Sequence, residues 1–394
     1  MKILVVAAGF PPGIKYGGLA TSRVNFVMGL ESSHDISVVA PNHDFREQEP
    51  YAGISDGWTP FGKRSKVRYI SNRTFSLRFF SACLDEIRPD LVYLSGTITS
   101  YFQYNRPVIR AAKAKNIPVL ITPDGDVCRT ALKHRWPKKA AAVLLCRLLA
   151  AFRDASFQVT CEEERENLIR FLRIRPERIT QVPNMPTVME EKRTAQKVSD
   201  RLRVVYCARL HRNKRPDLAI RAVKLCDAGV SLDLYGQIED GAYWDHCREL
   251  IGADTHRIRY CGLLPADKAR TICRDYDCSI LPTRSENYCY SIEESLRCGC
   301  PAVISRGTTP WDGIDGVCGM TIPAEDAQAY ADALTKLQRT DAAAYARLSN
   351  QAQAFAAERS GLTDITQRYH ALLQHVCASG KTPDGIQDNG DRNL

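Results

Sequence analysis

The sequence predicts an α/β protein built from two doubly wound domains that face each other across a cleft. With 394 residues, the chain exceeds the size at which a single hydrophobic core keeps growing, so two domains are expected. Apolar strand patterns alternate with helix patterns along both halves of the chain. Most strand segments are continuous apolar runs, which is typical of a parallel sheet covered on both faces.

The first domain is predicted to span residues 1–182. Its first apolar run, MKILVVAA, turns into a Gly/Pro loop after about seven residues and is interpreted as a buried strand rather than a secretory signal. No apolar run reaches the roughly 20 residues needed to cross a bilayer. Strands are predicted at KILVVAA, DISVVAP, KVRYI, LVYLSG, PVLITP, SFQVTC and ITQVP, and helices at about 18–30, 75–87, 102–115, 136–152 and 162–172.

A polar segment with two prolines, residues 183–200, is predicted to link this domain to a second one at 201–360. A helix at 361–377 is expected to pack back onto the first domain. The polar tail, 378–394, is expected to be disordered. In the second domain strands are predicted at RVVYCARL, SLDLYG, IRYCGLL, CSILPT, PAVIS and CGMTIP. One helix is predicted to begin at about 214, a second to end at 251 and a third to begin at 291, and the remaining helices are predicted at 265–275, 324–338 and 341–357.

The net charge of +9 is unevenly distributed, because residues 1–200 hold 30 Lys and Arg against 20 Asp and Glu. Two basic clusters, Lys63–Arg68 and Lys133–Lys139, contribute to the excess. Such a one-sided field favours a polyanionic partner such as nucleic acid, an acidic membrane surface or a phosphorylated lipid. The second cluster precedes a helix with a wide apolar face. This pattern fits either a surface that binds anionic lipid or a core helix preceded by a solvent-exposed basic segment.

The 15 cysteines contain no C-x-x-C pair, and the Cys298-Gly299-Cys300 pair lacks a partner at zinc spacing. Most of them fall in apolar strands or helices, where a thiol packs as a small hydrophobe. A reduced, cytoplasmic protein without a metal site is therefore predicted.

The stretch Leu281–Ser305 holds the main candidate site. Ser291 and Glu294 form an S-x-x-E pattern, which predicts a helix capping box, and Glu286 falls in the loop before that helix. A helix start at the carboxyl end of a parallel strand favours anions. The two alternatives are a phosphate-bearing ligand held between Glu286 and the helix, or a plain cap beside a solvated loop residue.

Three further patterns have both a structural and a functional interpretation. Gly17-Gly18 precedes a helix and would let the backbone approach a phosphate or sugar, or it is only a turn. Arg209 and Lys214 follow a strand and would suit a diphosphate, or they are solvated cations. Asp124-Gly125-Asp126 is a D-x-D that could hold a divalent metal, although Asp-Gly is also ordinary turn chemistry.

Taken in order, these motifs resemble glycosyltransferase family 4, the retaining nucleotide-sugar transferases of the GT-B fold. The resemblance covers nearly the whole chain. Its strongest element is E-x7-E at Glu286 and Glu294, and the text SEN…EESLRCGCPAVIS…TTPW is especially similar to members that build bacterial surface polysaccharides. The other matching features are Gly17-Gly18, R-x4-K at Arg209 and Lys214, PNMP at 183–186, YG at Tyr235-Gly236 and YCG ending at Gly262.

The resemblance implies a role for each matching residue. Arg209 and Lys214 would neutralise the donor diphosphate, Glu286 would bind hydroxyls of the transferred sugar, and Glu294 would bind the ribose. Fixed cations and a helix dipole aimed at the leaving diphosphate would stabilise the transition state without a metal. The implied donor-binding set is Gly17, Gly18, Gly236, Gly262, Asn287, Tyr288, Cys289, Tyr290, Ser291 and Glu294.

Two positions depart from the family pattern. Many members have a histidine after the fifth strand of the first domain, where this chain has Asp124, a candidate acid/base or orienting group. Members usually have glycine where Cys289 stands, so a side chain there could narrow the donor pocket.

The predicted function is transfer of a sugar from a nucleotide diphosphate, UDP in preference to GDP, to a glycan or polyprenyl-diphosphate-linked acceptor. No cofactor and no nucleic-acid partner are predicted. The expected location is the cytoplasm, either free or peripheral on the inner face of the cell membrane, and the second alternative would suit the basic first domain. The alternatives are a nucleotide-sugar 2-epimerase of the same architecture, and a basic protein that binds membranes or nucleic acid.

Overall fold

A computed structural model describes residues 1–128, 136–188, 200–286 and 288–380. Several of the predictions concern residues outside these ranges. Part of the second basic cluster, most of the linker, the donor-site candidate Asn287 and the segment 381–394 lie outside the described residues.

The first unit is built on an eight-stranded sheet of order β3-β4-β2-β1-β5-β6-β7-β8, in which only the edge strand β3 is antiparallel to its neighbour. Its central strands are buried, as continuous apolar runs predict. The strands are β1 Lys2–Val6, β2 Asp35–Pro41, β3 Thr59–Phe61, β4 Ser65–Ile70, β5 Leu91–Ser95, β6 Val119–Thr122, β7 Ser156–Val159 and β8 Ile179–Gln181. The helices are α1 Gly18–Leu30, α2 Leu77–Ile87, α3 Ile98–Ser100, α4 Arg106–Ala114, α5 Trp136–Leu148 and α6 Glu162–Asn167.

The second unit has a six-stranded parallel sheet of order β11-β10-β9-β12-β13-β14. Both strand orders reverse direction beside the first strand of the unit, and this switch point opens a crevice at the carboxyl edge of each sheet. The strands are β9 Leu202–Cys207, β10 Val230–Tyr235, β11 Ile258–Gly262, β12 Cys278–Leu281, β13 Ala302–Ser305 and β14 Gly319–Ile322. The helices are α7 Pro216–Leu225, α8 Gly241–Ile251, α9 Ala266–Thr271, α10 Tyr290–Arg297, α11 Ala327–Gln338, α12 Ala342–Ser360 and α13 Leu362–Gly380.

The chain passes between the two units twice among the described residues. Residues 183–188, here called the first crossing, are largely buried rather than solvated. The second crossing is Ser360–Gly361, where Gly361 adopts a left-handed conformation between α12 and α13. Helix α13 then packs on the first sheet, since Ile365, Tyr369 and Leu373 share a hydrophobic cluster with β1 and α1.

The fold class predicted from the sequence is confirmed, with local differences. The short strand β3 was not predicted, because three edge residues carry little periodicity. The helix expected at 102–115 is interrupted by a π turn at 101–105, directly before Pro107, whose ring excludes a regular preceding turn. Helix α13 continues to Gly380, so the first three residues of the segment expected to be disordered are helical.

Candidate functional site

A pocket of about 350 Å³ lies between the carboxyl edges of the two sheets and is here called the cleft pocket. The first unit contributes the loop after β1, the start of α1 and Asp124 after β6. The second unit contributes the loops after β9, β10, β11 and β12. Sequence-distant segments therefore converge on the place where open α/β sheets bind ligands.

Most of the residues singled out from the sequence line this one pocket. Gly262 is not among its lining residues but accepts a hydrogen bond from the backbone N–H of Gly236, which does line it (2.9 Å). The structure thus brings together Gly17, Gly18, Asp124, Arg209, Lys214, Gly236, Glu286, Tyr288, Cys289, Tyr290, Ser291 and Glu294.

Gly17 and Gly18 place the start of α1 against the second unit. A Cβ atom built on Gly17 would lie 4.0 Å from Arg209 Cδ, and one on Gly18 would lie 4.0 Å from Tyr290. Gly17 also has φ of 57°, a conformation that favours glycine. The glycine pair is therefore part of the cleft wall opposite the second unit.

The loop before α10 differs from the predicted capping box. The N-cap is Cys289 rather than Ser291, and no side chain caps the helix. Ser291 lies in the first turn, and the Glu294 carboxylate lines the cleft pocket. The capping interpretation is wrong because Cys289, at φ 69°, is the N-cap, so the helix begins two residues earlier than predicted. Glycine adopts this left-handed conformation more readily than cysteine does, and glycine is the usual residue here in the family that the sequence resembles.

Glu286 is held in place by two side chains. Lys214 Nζ forms an ion pair with its Oε1, and Thr283 Oγ1 donates a hydrogen bond to the same oxygen at 2.7 Å. Both charged side chains are largely buried, which strengthens their interaction and fixes their geometry. The backbone N–H of Glu286 also donates to the carbonyl of Thr308 at 2.8 Å.

Arg209 extends from the end of β9 and is half exposed. Its guanidinium pairs with Glu239, with Nη1 and Oε2 3.0 Å apart. Gly236 lies beside it with φ of 146°, and a Cβ atom there would meet the carbonyl oxygen of Ala208 at 1.9 Å. Only glycine can occupy this position without a shift of the backbone.

Asp124 forms a buried ion pair that the sequence did not predict. Arg23 Nη2 lies 3.0 Å from Asp124 Oδ1, and both side chains are at most 5% exposed. The guanidinium of Arg23 also packs over the ring of Tyr93, 4.8 Å from its centroid. Burial raises the pKa of Asp124 while the Arg23 charge opposes that rise. Asp126, the other D-x-D carboxylate, accepts hydrogen bonds from Thr97.

Glu294 is 7% exposed, and burial raises the pKa of its carboxyl to about 8. The nearby Arg270 charge opposes this rise, and Glu293 adds to it. Glu294 is therefore poised to change its protonation state near neutral pH. Glu286 is instead paired with Lys214, so the two carboxylates of E-x7-E occupy different electrostatic environments.

Sequence patterns assign no role to Arg23, Thr283 or Glu293. Arg23 and Thr283 each bind an acidic residue that lines the cleft pocket, and Glu293 lies next to Glu294 in the chain. Arg23 follows the glycine pair by five residues, and Thr283 lies between β12 and Glu286. Glu293 is recognisable from the sequence only as one of two adjacent glutamates in a helix, Glu293 and Glu294. Arg23 and Glu293 have partners more than 100 positions away, Asp124 and Thr187, so spacing alone could not identify them. Thr283 lies only three positions from its partner Glu286, but a threonine at that spacing carries no specific signal.

Two facing parallel sheets with a polar pocket at the switch points, lined by paired cations and carboxylates, define a glycosyltransferase of the GT-B class. Two family models match the chain in succession: "Glycosyl transferase 4-like domain" over residues 17–185 and "Glycosyl transferases group 1" over residues 201–340. Together they cover more than half of the chain, which belongs to the glycosyltransferases of the family 4 type.

Solved structures show the same fold at low sequence identity. Anabaena HepE, solved with UDP-glucose, is 17% identical with a TM-score of 0.68 and coverage of 95% of this chain and 100% of that one. Sucrose-phosphate synthase from Thermosynechococcus elongatus is 14% identical, with a TM-score of 0.68 and coverage of 96% and 100%. WaaG, a glycosyltransferase involved in lipopolysaccharide biosynthesis, is 12% identical, with a TM-score of 0.61 and coverage of 94% and 99%. No curated protein matches the chain at a significant level.

Proposed function

We propose that this glycosyltransferase is a hexosyltransferase that moves a sugar from a UDP-sugar to a glycan or polyprenyl-diphosphate-linked acceptor, with retention of anomeric configuration. The observation that carries the proposal is the convergence of Arg209, Lys214, the start of α10 and the pair Glu286/Glu294 on one pocket. The choice of UDP is supported by HepE, which was solved with UDP-glucose. We also propose that this transfer belongs to bacterial surface polysaccharide biosynthesis, which is supported by the resemblance described above and by WaaG.

The proposed chemistry rests on stabilisation of the leaving diphosphate. Breaking the glycosyl phosphate bond places negative charge on that group, and prearranged cations and helix N–H groups lower the energy of the transition state. Arg209 and Lys214 would supply the cations, and the N-terminus of α10 would supply aligned backbone dipoles.

We propose that the reaction needs no metal. Metal-independent transfer fits the contacts of the two D-x-D side chains. Asp124 pairs with Arg23 and Asp126 accepts a hydrogen bond from Thr97, so the two carboxylates do not converge on a common metal position. Lys139 Nζ also lies 3.8 Å from Asp126.

The carboxylates would bind different parts of the donor. Glu286, fixed by Lys214 and Thr283, would accept hydrogen bonds from hydroxyls of the transferred sugar. Glu294, one helical turn into α10, would accept them from the ribose. Asp124 lines the pocket from the first unit and would orient the sugar, with Arg23 holding its carboxylate.

The main test is a screen of nucleotide sugars. We expect UDP-sugars to raise the melting temperature more than GDP-sugars, and the best donor to support transfer to a polyprenyl-diphosphate-linked glycan with an unchanged anomeric configuration, measured by NMR. Chelation of divalent metal should leave the rate unchanged. Conversion of the UDP-sugar to an epimer without an acceptor would indicate the epimerase alternative. Salt-dependent binding of nucleic acid without nucleotide-sugar binding would contradict the proposal.

The proposed membrane partner is supported by one face of α5. Among its residues, Leu144 and Leu148 are 55% and 74% exposed, and Leu145 and Leu149 next to them are also exposed. Leu144 and Leu148 are one helical turn apart, as are Leu145 and Leu149, so the two members of each pair are neighbours on the surface. A cavity of about 240 Å³ nearby is lined by Arg147, Arg153, Arg173, Arg175 and Arg178. Exposed leucines beside arginines suit an anionic lipid surface. In the described residues, no helix is long and apolar enough to cross a membrane.

Vesicle binding tests this surface. We expect binding to vesicles containing phosphatidylglycerol, and we expect Leu148→Glu to weaken it about tenfold, because an apolar side chain of this size contributes roughly 1.5 kcal/mol or more when buried in lipid. Leu225→Glu is the matched control, since Leu225 is 54% exposed on the second unit. Equal binding by the two variants would contradict a docking role for α5.

A further inference from the structure

Glu293, next to Glu294 in α10, is a second carboxylate with a different environment. It is 0% exposed and is not among the residues that line the cleft pocket. A carboxylate buried this completely is stable only when its oxygens accept hydrogen bonds or pair with a cation. The identity of those partners therefore defines what Glu293 does.

The Glu293 carboxylate contacts both crossings between the two units. The backbone N–H of Thr187, in the first crossing, donates to its Oε1 and Oε2 at 3.1 and 3.2 Å. The hydroxyl of Ser360, in the second crossing, lies 3.3 Å from Oε1 and shares its hydrogen between that oxygen and the carbonyl of Ala356. Arg297, one turn further along α10, donates its Nε–H to Oε1 at 2.8 Å. One side chain thus joins α10 to both crossings that the described residues contain.

The hydrogen-bonded network continues from the first crossing into α1. Asn25 Nδ2 donates to Thr187 Oγ1 at 3.2 Å, and Arg270 Nη2 of α9 donates to Asn25 Oδ1 at 2.9 Å. Tyr290, at the start of α10, donates its hydroxyl to the carbonyl of Met185 in the first crossing at 3.1 Å. Helix α1 begins at Gly18 in the cleft pocket, so both walls of that pocket are connected through buried polar groups to the first crossing.

We propose that Glu293 is a positioning residue that couples donor binding to the relative placement of the two units, by fixing α10 to both crossings. The inference rests on the proposed function, because it takes the cleft pocket to be the donor site. A donor that orders the α10 wall of this pocket would, through Glu293, also order the Thr187 amide. Movement of a crossing would in turn displace Ser291 and Glu294 from the donor.

The test uses UDP as the probe with the full-length protein. Calorimetry measures UDP affinity, and hydrogen exchange is followed in peptides covering residues 183–188, with and without UDP. In the wild type we expect UDP to slow exchange in this crossing. Glu293→Gln keeps the side-chain volume but loses the charge that holds Arg297. We expect it to weaken UDP binding about tenfold, the size of a lost charge-assisted hydrogen bond, and to abolish the UDP-dependent slowing of exchange.

Kinetics and controls separate positioning from mere stabilisation. Glu293→Gln should raise the KM for the UDP-sugar while kcat at saturating donor recovers to within about threefold of the wild type. Glu249→Gln, on the exposed side of α8, is the matched control and should behave as the wild type. If Glu293→Gln only lowers the melting temperature and retains UDP affinity and protection of 183–188, the proposal is wrong. A wild type that binds no nucleotide sugar would instead overturn the proposed function, and this inference with it.

Discussion

Glu294→Gln offers the sharpest test of the proposed donor site, because it removes a titrating group without changing side-chain size. The carboxyl is buried in the cleft pocket, and burial raises its pKa to about 8. At pH 7 a group with this pKa is ionised in about one molecule in ten, and at pH 9 in about nine of ten. A ribose hydroxyl donates more strongly to a carboxylate than to a neutral acid.

UDP affinity should therefore rise by up to about tenfold between pH 7 and pH 9 in the wild type. Glu294→Gln should bind UDP more weakly at pH 9 and lose most of this dependence on pH. Isothermal calorimetry at several pH values, with the buffer ionisation heat subtracted, measures both effects. A flat wild-type profile, or an equal rise in the variant, would refute the assignment of Glu294 to the donor.

The same pKa makes a prediction about folding stability, and its sign follows from proton linkage. The carboxyl has a higher pKa in the folded protein than its ordinary value of 4.5, so the folded state holds the proton more tightly. Its contribution to stability is fully present below pH 4.5 and is lost as the pH rises through 8. Glu294→Gln should lack this loss, so its melting temperature should fall less than that of the wild type between pH 5 and pH 9.

Three further substitutions probe the remaining walls of the pocket. Lys214→Ala should nearly abolish transfer and also destabilise the protein by about 3–5 kcal/mol, because it leaves Glu286 buried without its cation; the double variant with Glu286→Gln should recover the stability but not the activity, as measured by denaturant unfolding and transfer rate. Asp124→Asn should slow transfer and cost about 3 kcal/mol, since Arg23 loses its charged partner, and urea unfolding measures that cost; unchanged activity would exclude an orienting role. Gly236→Ala should lower the free energy of unfolding by at least about 2 kcal/mol, because its φ is unfavourable for alanine and its Cβ would overlap a backbone oxygen.

Several features of the fold were accessible from local sequence. The strands β1, β2, β5 and β6 are continuous apolar runs, and their burial on both faces leaves little choice of structure. Strand β3 has only three residues at a sheet edge, so its pairing depends on β4 rather than on its own pattern. The π turn at 101–105 lies just before Pro107, whose ring prevents a regular helical turn there. The helical periodicity of the sequence continues through this segment, so it does not predict the π turn.

The residues of the candidate site were predicted from local sequence motifs, but the conformation of the loop before α10 was not. Glycine pairs, paired cations and E-x7-E are local signals, and the residues that carry them do converge on the cleft pocket. The predicted cap at Ser291 failed because the S-x-x-E pattern describes residue types and not the conformation of the residue before them. The observed N-cap is Cys289, at φ 69°, so the helix begins two positions earlier than the pattern predicts.

The sequence by itself determined the alternation of strands and helices, the division into two units and the residue types that reach the carboxyl edges, because these follow from hydrophobic period and chain length. Only the tertiary structure decided which buried charges are partners. Arg23 pairs with Asp124 101 positions away, and Glu293 contacts Thr187 across 106 positions. Such pairs form because a buried charge must find a partner wherever packing places one, and packing is a property of the whole fold.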